Sequence, residues 1–330
     1  MTHNWTSRLV TLLAAGMLLS AACSSGAKSN SKVPPAFSDN PTTISGISTV
    51  APYPVAVARS DGKPLSIAQA PARIVSLSPG ATEIIYAIGA EATLAAVDKN
   101  ADSPDAAKSF PTKVDAFEPN IEAIAALKPD LVIVASDTGG IVAKLDELKI
   151  PVFYVDIDKS VKTIDDIFVQ ISLLGRVTGK TEKADALVAS LGERRKKVEL
   201  AVRDIVDSSA TKVYHELDET FYSASAGTFV GDIYRILHMK NIAGDGGGVA
   251  YPQLTQEAIL AANPGLIVLA DESFGVTVDS VKARPGWSAI DAVKNGQILG
   301  VDPSIVSRPG PRIIDALEAI AKGAYPDRFK

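Results

Sequence analysis

From about residue 51 the chain is written in short apolar runs separated by stretches with helical spacing. Residues 54–58 and 65–67 are strand-like and flank Ser60, Asp61, Gly62 and Lys63, a turn-forming set that predicts a hairpin. Arg73 then leads Ile74, Val75, Ser76 and Leu77, a buried-strand run that ends at Ser78 and Pro79. Ser78 suits a helix N-cap and Pro79 the first helical position, so a helix is predicted to open there. Residues 131–135 and 152–156 repeat the buried-strand pattern, with helical periods between them. Strand and helix alternating in this way predict parallel sheet covered on both faces.

The most informative feature is an internal repeat. Residues 120–135 recur as residues 255–270, with seven of sixteen positions identical. Each copy reads as a cap residue (Asn120, Thr255), an acidic first turn (Glu122, Glu257), a short helix, a turn led by Pro129 or Pro264, and a buried strand. Helix-turn-strand units converge to some extent in any α/β protein. The shared register of Glu, Pro and Leu predicts instead one folding unit written twice, an α/β protein of two Rossmann-like lobes. Between the copies, residues 181–206 contain no proline, and Ala184, Leu187, Val188, Leu191, Val198 and Ile205 fall at helical spacing. A helix of about 40 Å would join the lobes and permit only small hinge motion, or would serve as a surface helix of one lobe.

The N-terminus carries an address. Arg8 precedes an apolar stretch over 10–19, then Ser20, Ala21, Ala22 and Cys23. This is the layout of a secretory signal, and a cysteine directly after the small residues resembles a bacterial lipoprotein signal, in which Cys23 is lipidated. Residues 24–52 are rich in Ser, Pro, Asn and Thr without apolar period, a composition that buries too little surface to offset its ordering entropy. The expected division is a signal peptide over 1–22, a lipidated flexible tether over 23–52, an N-terminal lobe over 53–165, a bridging helical segment over 166–207 and a C-terminal lobe over 208–330. The expected location is the outer face of the plasma membrane, or the periplasm.

Composition narrows the function. At 330 residues the chain exceeds one ordinary core, and 46% apolar with 22% charged residues is globular rather than disordered. The one strongly apolar window, 10–22, is shorter than a membrane span of roughly 20 residues. A net charge of -5, with no basic run longer than 194–197, argues against nucleic acid as a partner. One cysteine and three histidines leave no thiolate cluster and nearly exclude an imidazole-built metal site.

Catalytic motifs are mostly decoys. Asp137, Thr138 and Gly139 match half of an aspartic-protease signature, but no second copy exists to share a proton. His215 and Glu216 open like a zinc-protease motif, but Glu219 stands where its second histidine belongs. A hydrolase using Asp137 is the enzyme alternative. Binding features read better, because ligands of parallel sheets sit beyond the strand carboxyl ends, here 78–79, 136–140 and 271–274. Phe117, Phe221, Tyr222 and Tyr251 lie in polar or glycine-rich loops, where aromatics either cap a core or line a site. Arg308 sits in the stiff segment Ser307-Arg308-Pro309-Gly310-Pro311-Arg312, placed for a salt bridge or for a cleft. The helix dipole at about 0.3–1 kcal/mol explains either Glu122 or Glu257 alone. Two lobes would also present the pair beside the cleft mouth, suited to two basic sites of a partner.

With these motifs in this order over residues 53–328, the chain resembles the periplasmic binding proteins for vitamin B12, iron-siderophores and haem, the substrate-binding components of ABC importers. The carrying motifs are residues 73–79 with Thr82 and Glu83, residues 120–133, residues 251–254 with Glu257, and residues 307–312. The resemblance implies a class III fold, two lobes bridged by a single long helix. It implies a monomer without enzymatic activity or resident cofactor, holding a small-molecule metal chelate in the cleft and delivering it to a permease with its ATPase. It matches Glu122 and Glu257 to glutamates that meet permease arginines. Ser78, Phe117, Asp137, Tyr222, Tyr251 and Arg308 are the expected ligand-binding residues. The vitamin B12 branch is the nearest: Phe117 and Tyr251 stand where it commonly places tryptophans, and Arg308 matches a cleft arginine. Iron-siderophores, and haem through Tyr222 or Tyr251, are the alternative ligands, and a receptor that signals to a membrane partner is a further reading.

Overall fold

The computed structural model describes residues 53–206 and 210–330. The signal peptide, the tether and Cys23 lie outside the described residues. An antiparallel hairpin opens the folded part, β1 (Val55–Ala58) pairing with β2 (Pro64–Ile67). Its alternate residues Val55, Val57, Leu65 and Ile67 are buried, the period-2 pattern of a ribbon with one covered face. Arg59 at its end is held by Asp61 and by Asp146 at 2.6 Å each.

Two parallel sheets follow. The first contains β3 (Ile74–Leu77), β4 (Leu94–Asp98), β5 (Lys113–Val114), β6 (Leu131–Val134) and β7 (Val152–Tyr154), in the order β5-β4-β3-β6-β7. The second contains β8 (Lys212–Glu216), β9 (Lys240–Asn241), β10 (Leu266–Leu269) and β11 (Ile298–Gly300), in the order β9-β8-β10-β11. The four-strand order β4-β3-β6-β7 is therefore reproduced as β9-β8-β10-β11. In both sheets the chain starts in the middle and winds outward in each direction, which creates a crevice at the central strands' carboxyl ends.

The repeat is exact at the level of caps and turns. Asn120 caps the helix Ile121–Ala126 by accepting from Ala123 N, and Thr255 caps Gln256–Ala262 by accepting from Ala258 N. Lys128 and Asn263, 135 residues apart, both adopt the left-handed conformation, with φ of 49° and 48°. This left-handed stop and the following proline end each helix and launch β6 or β10.

Each central strand is buried on both faces, and the two faces serve different cores. Leu131 and Ile133 of β6, with Leu266 and Val268 of β10, join one continuous apolar cluster that runs through both lobes. Val132 and Val134 belong to a cluster confined to the first lobe. Ile267 and Leu269 belong to one confined to the second, around the fully buried Trp287. Helices Pro79–Ala87, Ile164–Val177, Thr181–Val202, Phe229–Ile236 and Ile313–Ala324 all contribute buried residues to the shared cluster.

The expected long helix is thus Thr181–Val202, about 33 Å at 1.5 Å per residue and four residues shorter than the spacing predicts. The segment expected to bridge holds two helices. Ile164–Val177 packs against the long helix so closely that a Cβ on Gly175 would lie 2.3 Å from Ala184 Cβ. The basic run 194–197 is used structurally. Arg194 reaches Asp315 (2.6 Å) and Glu318 (2.9 Å) on the last long helix, and Arg195 reaches Asp165 (2.6 Å).

Asn120→Ala and Thr255→Ala should each lower stability by about 1 kcal/mol. Urea denaturation of the single and double variants should find the two losses additive, since they affect separate helices.

Candidate functional site

A cleft of about 460 Å³ opens at the carboxyl ends of the first sheet and is walled on its far side by the second lobe. The first lobe contributes Ser78 after β3, Asn100 after β4, Phe117 after β5 and Ser136 after β6. The second contributes Phe274 after β10 and Arg308 after β11. The local sequence fixes each position. Ser78 caps the helix Pro79–Ala87 by accepting from Ala81 N. Asp98, buried at the end of β4, accepts from Asn100 N (2.8 Å) and Ala116 N (3.0 Å), which shapes both neighbouring turns. Asp115 accepts from Phe117 N (2.9 Å), so the Phe117 backbone is fixed while its ring is 70% exposed. Phe274, 80% exposed, is the last residue of a one-turn helix that Gly275 terminates at φ 100°.

The lobes meet at the cleft floor through a close backbone approach. A Cβ on Gly80 would lie 2.6 Å from the Pro309 carbonyl oxygen, and one on Gly310 would lie 3.1 Å from Glu83 Oε2. Only glycine fits the first of these. Beside it, two arginines of the second lobe grip carboxylates of the first. Arg312 donates to both oxygens of Glu83, at 3.0 and 2.6 Å, and to the Ser304 carbonyl at 3.1 Å. Arg308 donates to both oxygens of Asp102, Nη2 lying 2.9 Å from Oδ2, and to the Asn100 carbonyl at 3.2 Å. Burial pushes the Glu83 carboxyl up, against the opposing pull of Arg312. Burial also acts upward on Asp102, but the Arg308 and Arg312 guanidiniums outweigh it and hold that carboxyl below its ordinary range.

Of the expected ligand-binding residues, Ser78, Phe117 and Arg308 come together in this cleft. Three stand outside its lining. Asp137 is turned to the backbone and accepts from Val142 N at 2.9 Å, although its neighbours Ser136 and Thr138 line the cleft. Tyr222 is engaged in an isolated antiparallel bridge with Gln253. Tyr251 packs against the shared core, where burial, and next the Asp158 carboxylate of the first lobe, push its phenol up to about 12. Phe274 lies in the strand end 271–274 that the sequence places beside a ligand, but it is not among the expected ligand-binding residues. Its signal is its position, an exposed aromatic just past the end of β10.

Glu122 and Glu257 occupy the second position of the two repeat helices, both exposed, and neither is in an ion pair among the described residues. Each helix runs back along its sheet before β6 or β10, so its N-terminus stands at the carboxyl-end side, level with the cleft.

The histidine motif proves to be strand, not a metal-binding helix. His215 is buried in β8, its Nδ1 2.5 Å from the Tyr234 hydroxyl, and burial lowers its pKa to about 4. Next to it Glu216 takes both terminal nitrogens of Arg284 at 2.6 Å, and the guanidinium lies 4.5 Å from the Trp287 ring centre. Asp271, at the end of β10, is pushed up to about 7 by burial and by the Glu216 carboxylate.

A two-lobed α/β body with a cleft between the sheets' carboxyl ends defines a solute-binding protein, and sequence comparison agrees. The chain belongs to the periplasmic binding protein family, which matches residues 74–305. It is 33% identical over 284 residues to an ABC transporter substrate-binding lipoprotein of Bacillus subtilis (strain 168), covering 84% of this chain and 88% of the relative. It is 27% identical over 252 residues to a vitamin B12-binding protein of Vibrio cholerae, covering 75% and 87%. The crystal structure of the periplasmic vitamin B12 binding protein BtuF of Vibrio cholerae superposes with a TM-score of 0.67 at 26% identity, covering 79% of this chain and 98% of that one. A possible iron-binding periplasmic solute-binding protein of Staphylococcus epidermidis gives 0.66 at 28% identity, covering 78% and 100%. The fold is thus that of the class III binding proteins. The protein is an extracytoplasmic substrate-binding component of an ABC transporter, its work being capture and delivery rather than catalysis, with a permease and ATPase as partners.

Asp271 gives a pH prediction. Its folded pKa of about 7 lies above the ordinary 3.8, so the folded state holds the extra proton and stability from this group falls as pH rises from about 4 to 7. His215, lowered from 6.5 to about 4, acts in the opposite sense over most of that window. Comparing Asp271→Asn with the parent chain cancels the histidine. The variant's melting temperature should gain on the parent steadily between pH 4.5 and 7.5; a constant difference would contradict the assignment.

Proposed function

We propose that the protein captures a large metal chelate, cobalamin in the first place, in the inter-lobe cleft and delivers it unaltered to its permease. The observation that carries this reading is the cleft itself, lined from both lobes with an exposed phenylalanine from each. Its volume lies in the range of small-molecule sites, and aromatic faces supply large contact area at low entropic cost. The vitamin B12-binding relatives support the choice of corrinoid. The metal arrives with the cargo, so no resident cofactor is required.

Glu122 and Glu257 are the docking contacts in this reading. They carry exposed charge at equivalent positions of two copies of one unit, and they would meet two basic sites on the permease. The chain acts as a monomer, tethered through lipid on Cys23 to the outer face of the membrane.

Addition of cyanocobalamin to the purified protein should give saturable binding by calorimetry and a perturbed visible corrin spectrum. Absence of binding to cobalamin and to ferric chelates alike would overturn the proposal. Glu122→Ala with Glu257→Ala should leave ligand affinity within about twofold and lower uptake in cells at least tenfold. Unchanged uptake would remove the docking role.

A further inference from the structure

We infer that the cleft selects a chelate whose bound face carries no negative charge. The inference rests on the solute-capture reading above and narrows its cargo.

Among the described residues lining the cleft, Arg308 is the one cation, and it is already spent. Both of its terminal nitrogens engage the Asp102 carboxylate, and Nη2 also donates to the Asn100 carbonyl. Its side chain is only 20% exposed. Drawing it toward an anionic cargo would strip Asp102 of its two charge-assisted bonds, leaving Arg312, 3.8 Å away, as its nearest cation. Arg312 is itself committed to Glu83. An anion would therefore exchange one carboxylate partner for another and gain little.

The helix N-terminus at the cleft supplies no second cation and is largely satisfied internally. Of the first donors of Pro79–Ala87, Pro79 has no N–H, Ala81 N donates to Ser78 Oγ, and Thr82 N donates to the Ser78 carbonyl, which leaves the uncharged N–H of Gly80 as its single donor toward the cleft. Asp98, the lining carboxylate, faces backbone N–H groups rather than the cleft. What remains open to a ligand is apolar or neutral: the rings of Phe117 and Phe274, and the uncharged polar side chains of Asn100, Ser136 and Thr138. Such a surface suits amides, hydroxyls and a broad uncharged macrocycle or chelate. It offers no uncommitted cation to balance a carboxylate or catecholate.

The test compares four probes by calorimetry with the purified chain. Cyanocobalamin and a neutral ferric trihydroxamate carry no net charge, whereas haemin carries two carboxylates and a ferric tris-catecholate is trianionic. At least one neutral probe should bind with a dissociation constant tenfold or more below that of either anionic probe. Raising salt from 50 to 300 mM should change the neutral affinity less than twofold. Asp102→Asn frees Arg308 and should shift the anionic-to-neutral affinity ratio at least tenfold toward the anion. Asp102→Asn with Arg308→Gln should reverse that shift. Reading a ratio removes any general effect of the substitution on the fold. Haemin or the tris-catecholate binding as tightly as the neutral probes would overturn the charge rule while leaving solute capture intact. An unchanged ratio in Asp102→Asn would overturn it too. Binding of none of the four would overturn solute capture, and the charge rule with it.

Discussion

The constraint on which the structure depends is that one apolar core belongs to both lobes. The inner faces of the two sheets are not sealed separately. They join one cluster to which the helices Ile164–Val177, Thr181–Val202 and Ile313–Ala324 also belong, together with Pro79–Ala87 from the first lobe and Phe229–Ile236 from the second. Close-packed interiors do not shear without loss of contact, so relative movement of the lobes is confined to small rotations about this seam. Gly80 against Pro309, and the arginine–carboxylate pairs beside them, fix the cleft floor on the other side. The cleft is consequently a nearly preformed cavity between two anchored walls, which reduces the ordering cost of binding.

Much of this was legible in the sequence because the relevant signals are local. Ser78-Pro79, Asn120 and Thr255 announce helix starts, and Pro129 and Pro264 announce the returns to strand. The continuous apolar runs state that the strands are covered on both faces. The 135-residue repeat then implied two sheets of like topology. The hidden part depended on pairings between distant residues. Asp102 meets Arg308 across more than two hundred positions, and nothing in its own neighbourhood marks it out. Tyr222 and Tyr251 carry the same loop-aromatic signal as Phe117, yet one is held in a bridge and the other settles on the core. Phe274 carries that signal weakly and reaches the cleft. Aromatic identity alone does not reveal which way a loop faces.

In the proposed function, the repeat lets one scaffold serve two interactions. The strands' carboxyl ends supply cleft residues that differ between copies, such as Ser136 and Thr138 against Phe274. The helices entering those strands keep the same exposed glutamate in each copy. In the proposed function, the cargo and the membrane partner thus address adjacent but separable positions.

The seam has a thermodynamic corollary. A chain with two sheets would ordinarily be expected to melt in two steps, one for each. Here Leu131 of one sheet and Leu266 of the other lie in one apolar cluster, so neither inner face keeps its full core without the other. A shared core favours a single cooperative transition, and loosening the helix pair at Gly175 and Ala184 disturbs the core that both lobes use.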